Sequence, residues 1–330
     1  MKLYQAIDNI NSTLFQGNQN FYSNQNLLIV GKNTAGKSKL ISDVIQYHLK
    51  NKNYSIYFID SKNRKITSTN TSQMDQAHTF SYYNGKVKDI LMDRIDKKFF
   101  NKEDIFSTTD GTEILQSELL QNQAKYIKLL DQVLGMSLEF VGDCVPGSDN
   151  YIIHVNKNEL DALSDAQNAM IRILMEVNFA SEQNCKTVLI DEFDVHLDHV
   201  NCSIFINKIM ETYPNLHFIL AVHSPYTILG VENYDILHIR ANYDNVDDNE
   251  CIFYESNDMD DINIINKKLY YIEDRLNEKD IMLSNALSQV VKERKIDREL
   301  MTKLEREKDK FTVRQNVVYR NIMQLSRRIE

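Results

Sequence analysis

Short apolar runs and longer stretches with helical spacing alternate along the first 256 residues. The runs are rich in β-branched and aliphatic residues, which predicts buried strands. They span residues 27–30, 54–60, 151–155, 187–190, 218–222, 236–239 and 251–254. Between several of them, apolar residues recur three and four positions apart, as in the helix predicted at 39–49. Strands that alternate with helices predict an α/β protein with a mostly parallel sheet.

One region of this core departs from the alternation. From about residue 80 to 150 the apolar residues mostly form helical stripes, such as Ile127, Leu130 and Leu134. We therefore predict a core domain of residues 1–256 that carries a helical insertion at about 80–150.

The last part of the chain, residues 257–330, has a different pattern. It contains neither Gly nor Pro, and its apolar residues step by three, four and seven up to Leu283 and again from Leu304, with a less regular middle between them. This spacing predicts two long helices or a coiled-coil hairpin, which we interpret as an interaction segment. Residues 292–330 hold twelve Lys/Arg against seven Asp/Glu, so this tail is locally about +5. A solvated helix face would account for that charge equally well.

Composition narrows the class of protein. The chain has 330 residues, of which 42% are hydrophobic, and this is enough to bury a large core. No apolar run approaches the roughly 20 residues that span a bilayer, and the polar N-terminus is unlike a signal peptide. We therefore expect a cytoplasmic protein without membrane contact. The four cysteines are widely spaced, as in reduced thiols, and the net charge of −9 argues against broad attraction to nucleic acid.

The first apolar run leads into a sequence with a specific chemistry, G-x-x-x-x-G-K-S. A strand precedes it and a helix follows, which is the context that a phosphate-binding loop requires. The two glycines let the backbone N–H groups approach a phosphate. Lys37 would reach the β- and γ-phosphates of ATP, and the Ser38 hydroxyl would bind Mg²⁺. The predicted nucleotide-binding residues of this loop are Gly31, Lys32, Asn33, Thr34, Ala35, Gly36, Lys37, Ser38 and Lys39.

Two further strands also end in polar side chains. Asp191 and Glu192 follow the run at 187–190, and His223 follows the run at 218–222. Ligands of parallel sheets bind at the carboxyl edge, where these residues would meet the loop. Asp191 is predicted to hold Mg²⁺ through water, Glu192 to orient and deprotonate the attacking water, and His223 to face the γ-phosphate.

A helix start supplies one more candidate. Ser164 and Gln167 match a capping box, S-x-x-Q, at the beginning of the helix predicted near 164–184. A capping box needs no further function, and that interpretation stays open for Ser164.

In this order and approximate spacing, the motifs resemble those of the ABC-type ATPases, over about residues 27–238. The chain is similar to the soluble SMC, RecF and OLD-like branch, which includes ATPases of bacterial anti-phage systems. The resemblance implies a Walker A loop, a Walker B pair at Asp191 and Glu192, and a switch histidine at His223. It also implies that the signature at 163–167 places Ser164 on the γ-phosphate bound to a second subunit.

Three departures from the family pattern affect what the resemblance implies. Asp165 and Ala166 replace the signature glycines, so the contact in trans is less well defined than the site in cis. Gln73 and Gln76 are only approximate matches to the Q-loop. Asp194, together with the preceding phenylalanine, stands where the OLD-like branch often has a proline and a glutamate, and we expect this variation to touch nothing essential.

The resemblance implies an ATP-hydrolysing, Mg²⁺-dependent switch that works as a homodimer or higher homo-oligomer. Its assembly would control a separate effector protein, a nuclease or toxin, in anti-phage defence. Two alternatives remain. One is a DNA-repair or chromosome-associated ATPase that binds nucleic acid through its helices, and the other is an assembly scaffold that binds ATP with little turnover.

Overall fold

A computed structural model describes residues 1–16, 26–60, 118–141, 152–241, 249–270, 278–295, 297–311 and 313–326. The chain divides into two compact units, Met1–Tyr270 and Tyr271–Glu330. Gln73, Gln76 and most of the expected insertion at 80–150 lie outside the described residues.

The strands of the described residues all belong to the first unit. In chain order they are β1 (Asn26–Gly31), β2 (Ile56–Ile59), β3 (Leu138–Val141), β4 (Ile152–Val155), β5 (Asn158–Glu159), β6 (Thr187–Ile190), β7 (His217–Val222), β8 (Tyr234–Arg240) and β9 (Glu250–Glu255).

The described helices are distributed over both units. The first unit contains α1 (Leu3–Gln16), α2 (Lys37–Lys50), α3 (Gln123–Leu134), α4 (Asp165–Glu182), α5 (His199–Thr212), α6 (Pro225–Gly230) and α7 (Ile262–Leu269), and the second contains α8 (Glu278–Ser288), α9 (Arg298–Glu307) and α10 (Val313–Ser326). A search of the described residues finds no helix with the length and apolar character needed to cross a membrane.

A six-stranded sheet forms the centre of the first unit, in the order β2-β6-β7-β1-β8-β9. Its neighbouring strands are parallel except for β9, which runs antiparallel to β8. The expected mixed α/β fold with a mostly parallel sheet is therefore confirmed. Strands β1, β2 and β6 are buried at every position, as continuous apolar runs in a covered parallel sheet should be.

The strand register fixes which loops can meet. Val30 of β1 pairs with Val222 of β7, and Ile190 of β6 pairs with Leu220. Since these strands are parallel, their carboxyl ends lie at the same edge of the sheet. The residues that follow β1, β6 and β7 are consequently brought together.

A buried ion pair within α4 is linked to the sheet through a tyrosine. Arg172 Nε donates to Glu176 Oε1 at 3.0 Å, and both side chains are almost fully buried. The Tyr57 hydroxyl on β2 donates to the other carboxylate oxygen of Glu176, also at 3.0 Å. Burial of such a pair is tolerated because hydrogen bonds satisfy the charged atoms.

The region expected as a helical insertion is only partly helical where it is described. Helix α3 is present, and its Leu130 is buried as predicted. A small antiparallel sheet, β3-β4-β5, accompanies it. Of these strands only β4 was expected, because it begins with two adjacent isoleucines, whereas β3 contains a single β-branched residue and β5 consists of two polar residues. Leu138 and Val155 face each other in this sheet and are both buried.

The second unit differs from the two long helices or coiled-coil hairpin that the spacing predicted. Its described residues form three short helices, α8 to α10, with α8 packed against both of the others. Arg294 adopts a left-handed backbone conformation (φ 49°), which ends the helical stretch after α8. Asp297 then caps α9 by accepting hydrogen bonds from Glu299 and Leu300. These local signals interrupt the helix between residues 284 and 303, where the apolar spacing is also less regular.

The first unit ends at Tyr270, later than the boundary expected after residue 256. Helix α7 follows that expected boundary, yet its Ile265 and Leu269 are buried in the hydrophobic core of the first unit, as is Met259 before it. Among the described residues, that core contains no buried side chain beyond Leu269.

A fragment that ends at residue 270 is expected to keep the fold of the first unit, whereas one that ends at 256 should be destabilised by several kcal/mol. The shorter fragment loses three buried side chains, each of which contributes about 1.5–3 kcal/mol on burial. Thermal unfolding of the two fragments, followed by circular dichroism, measures the difference. Equal midpoints would contradict the placement of α7 in this core.

Candidate functional site

The loop between β1 and α2 depends on two glycines for two different reasons. Gly36 has φ 97°, a left-handed conformation that is costly for a residue with a side chain. At Gly31 the limit is space, because an added Cβ would lie 2.7 Å from the carbonyl oxygen of Ile239 on the neighbouring strand β8. The loop therefore has the strand–turn–helix geometry that its sequence predicted.

The start of α2 is open to an anion. No side chain of the described residues caps this helix, so the first N–H groups lack the usual side-chain acceptor. Lys37 Nζ lies beside them and donates to the carbonyls of Gly31 at 2.8 Å and Lys32 at 3.3 Å. Burial lowers the pKa of Lys37, and the nearby carboxylates, with Asp191 foremost, act in the opposite direction.

Ser38 and Asp191 are in direct contact. The Ser38 hydroxyl donates to Asp191 Oδ2 at 2.7 Å, and Asp191 is fully buried. The other carboxylate oxygen accepts the backbone N–H of Glu192 at 3.1 Å. Glu192 itself has φ 47°, a left-handed conformation, so the chain turns sharply just after β6.

These side chains line one cavity of about 340 Å³. It brings together most of the residues predicted as the site, namely Asn33, Thr34, Gly36, Lys37, Ser38, Lys39, Asp191, Glu192 and His223. The predicted residues that do not line it are Gly31, Lys32, Ala35 and Ser164. The first three belong to the loop and shape its backbone.

The oxygen donors fit a small divalent cation. Mg²⁺ prefers carboxylate and hydroxyl oxygens in an octahedron at about 2.0–2.1 Å, which places adjacent ligands about 2.9 Å apart. The 2.7 Å between Ser38 Oγ and Asp191 Oδ2 is close to that separation. The two residues could thus hold Mg²⁺ between them or through a bound water.

His223 is the first residue beyond β7, and its backbone is fixed by Asp194. The Asp194 carboxylate is buried and accepts the N–H groups of His223, at 2.8 and 3.0 Å, and of Ser224, at 2.6 Å. The variation at Asp194 was expected from the sequence to touch nothing essential, whereas in the structure its carboxylate contacts the backbone of a candidate site residue. A carboxylate four positions after the end of β6 gives no sequence signal for this contact.

Asn249 is a second residue of the site that the sequence did not indicate. Its side chain is fully buried, and Nδ2 donates to the carbonyl of Ala35 at 2.5 Å. Asn249 directly precedes β9 and accepts the N–H of Leu3 through its own carbonyl. The phosphate loop is thus held from the far edge of the sheet, by a residue 214 positions away in the chain.

Ser164 lies at the N-cap of α4 and forms the predicted capping box. Its hydroxyl accepts the Gln167 N–H at 3.2 Å, and the Gln167 side chain accepts the Ser164 N–H at 3.0 Å. Ser164 is exposed. The capping interaction accounts for both residues within this chain.

No family model matches the chain, and no curated protein matches its sequence. Solved structures with some similarity include SMC head domains. The Smc head domain with an extended coiled coil from Pyrococcus furiosus, bound to the C-terminal domain of ScpA, is 12% identical, with 71% of this chain and 91% of that chain covered and a TM-score of 0.39. The SMC head domain from Thermotoga maritima is 15% identical, with 71% and 92% covered and a TM-score of 0.38. Assignment of the site rests on its own geometry.

Proposed function

We propose that this protein binds and hydrolyses ATP with Mg²⁺. The observation that carries the proposal is the Ser38–Asp191 contact, which joins the phosphate loop to the acidic pair in one cavity with Lys37, Glu192 and His223. Backbone donors, a lysine, a pair of oxygen ligands and a second carboxylate at one cavity are the parts that phosphoryl transfer to water uses.

Each side chain has a distinct task in this proposal. Lys37 exchanges its bonds to the loop carbonyls for β- and γ-phosphate oxygens. Glu192, which is not engaged in the Ser38–Asp191 contact, orients the attacking water and accepts its proton. His223 donates toward the γ-phosphate from the end of β7.

The charges of the site support a requirement for Mg²⁺. Asp191, Glu192 and Asp194 all act on Lys37, so one ammonium group faces three carboxylates. A triphosphate would add further negative charge. Bound Mg²⁺ would offset part of this negative charge and polarise the phosphoryl oxygens.

We also propose that ATP favours a closed pair of subunits. The cavity is open to solvent, and Ser164 is exposed and lies outside the lining of its own cavity. If Ser164 contacts phosphate, the phosphate belongs to another copy of the chain. Control of a separate nuclease or toxin, and a role in anti-phage defence, are supported by the motif resemblance alone.

Two alternatives lead to different measurements. A DNA-repair ATPase would use the basic residues of 292–330, and its DNA binding would weaken steeply with salt. A scaffold would bind ATP but hydrolyse it hardly at all, so replacing Glu192 would leave the already low rate of hydrolysis unchanged.

Substitution Lys37→Ala is expected to weaken ATP binding by at least about 100-fold, since it removes the cation that the β- and γ-phosphates require. Titration of the full chain with a fluorescent ATP analogue measures the dissociation constant. Lys50→Ala, at the exposed other end of the same helix, is the matched control and should bind like the parent. Equal affinity of Lys37→Ala and parent would refute the phosphate loop.

Glu192→Gln is expected to keep nucleotide affinity while turnover falls by about 10²–10⁴-fold, because the amide retains the shape of the side chain but cannot accept a proton. Phosphate release under saturating Mg·ATP measures the rate. Glu211→Gln, an exposed glutamate on α5, serves as control. A Glu192→Gln enzyme with the rate of the parent would remove Glu192 from this role.

The Glu192→Gln protein is also expected to sediment as a larger species with ATP than without it, because unhydrolysed nucleotide would keep the subunits closed. Ser164→Ala, combined with it, should reduce that shift. Loss of the N-cap costs about 1 kcal/mol, so the thermal stability of the variant is measured in parallel. If neither protein changed its sedimentation on addition of ATP, this would argue against a site that is completed by a second subunit.

A further inference from the structure

The backbone around His223 is held from two sides. On one side, Asp194 accepts the N–H groups of His223 and Ser224. On the other side, the Tyr270 hydroxyl donates to the carbonyl of His223 at 2.6 Å. Tyr270 lies 47 residues further along the chain and belongs to no motif of the site.

We propose that Tyr270 is a positioning residue of the nucleotide site, which acts by fixing the backbone of His223 together with Asp194. We call the hydrogen bonds of Asp194 and Tyr270 to this backbone the His223 clamp. Its consequence for catalysis rests on the proposed ATPase function, but the clamp itself is a property of the protein without nucleotide.

The geometry explains why these contacts matter for the imidazole. Two planar peptide units flank the Cα of His223, and their orientations fix the direction of its Cα–Cβ bond, from which the imidazole extends. Asp194 holds the unit before this Cα through the N–H of His223. The unit after it is held at both ends, since Asp194 accepts the N–H of Ser224 and Tyr270 binds the carbonyl of His223. Little freedom remains for the backbone of His223 to turn, so the starting point of its side chain is fixed.

Tyr270 is itself anchored to the core. It follows α7, its N–H donates to Asn266, and Leu269 beside it is buried. Helix α7 packs against α6, the helix that begins just after His223. Burial raises the pKa of Tyr270, and Asp194 adds to this, so the phenol remains a donor at ordinary pH.

The segment between β7 and α6 is too short to fix the backbone of His223 by its own hydrogen bonds. Only His223 and Ser224 connect β7 to α6, and Pro225 has no N–H to offer. The orientation of His223 therefore depends on partners from elsewhere in the fold. Asp194 comes from the turn after β6, and Tyr270 comes from the end of the first unit.

The test replaces Tyr270 by Phe in the full chain, which removes the hydroxyl and keeps the ring. Tyr234→Phe is the matched control, because its hydroxyl also donates to a backbone carbonyl, that of Ile228 at 2.5 Å. Tyr270→Phe should lower kcat roughly 10- to 100-fold, the scale of a small misplacement of a catalytic group. ATP affinity should stay within about twofold of the parent, because the phosphate loop is untouched.

A second measurement needs no nucleotide. The chain has eight histidines, and ¹⁵N-histidine spectra of the parent and a His223→Gln variant identify the His223 signals. These signals should shift or broaden in Tyr270→Phe and not in Tyr234→Phe. Unchanged His223 signals would overturn the clamp, and an unchanged kcat with displaced signals would overturn its role in catalysis. Failure of the parent to bind ATP would instead refute the proposed function, while the spectra still decide the clamp.

Discussion

The hydrogen bond from Ser38 to Asp191 joins two parts of the chain that are 153 residues apart. In the sheet, β7 lies between β1 and β6, so the strands that carry these residues are two strand spacings, or about 10 Å, apart. The contact between Ser38 and Asp191 therefore bridges the position of β7 in the sheet. His223 leaves β7 at this place, between the phosphate loop and the acidic pair. The whole site follows from that strand order.

Local sequence patterns were sufficient to predict most strands of the sheet and the residues that line the cavity. Fully buried strands such as β1 and β6 appear as continuous apolar runs, and a phosphate loop needs its glycines, lysine and serine at fixed spacing. Asp191, Glu192 and His223 were found because each directly follows such a run. In all these cases the property that identifies the residue lies within a few positions of it.

The missed features depend on distant partners or on weak local breaks. Asp194, Asn249 and Tyr270 act through hydrogen bonds to the backbone of other segments, and such bonds leave no pattern of residue types in the chain. The second unit was expected as long helices because the apolar spacing before residue 284 resumes at Leu304. The stretch between them is less regular, and a left-handed residue, Arg294, and the cap at Asp297 redirect the chain there.

The bond from Asn249 to Ala35 joins a side chain to a backbone carbonyl, and this has a consequence for sequence variation. Every amino acid at position 35 would present the same carbonyl, so size alone limits the choice there, where Ala35 is almost fully buried. Position 249 is limited by chemistry instead, since the residue must reach the loop and donate. Divergent sequences with this fold should therefore exchange small residues freely at 35, and should retain a short amide donor at 249.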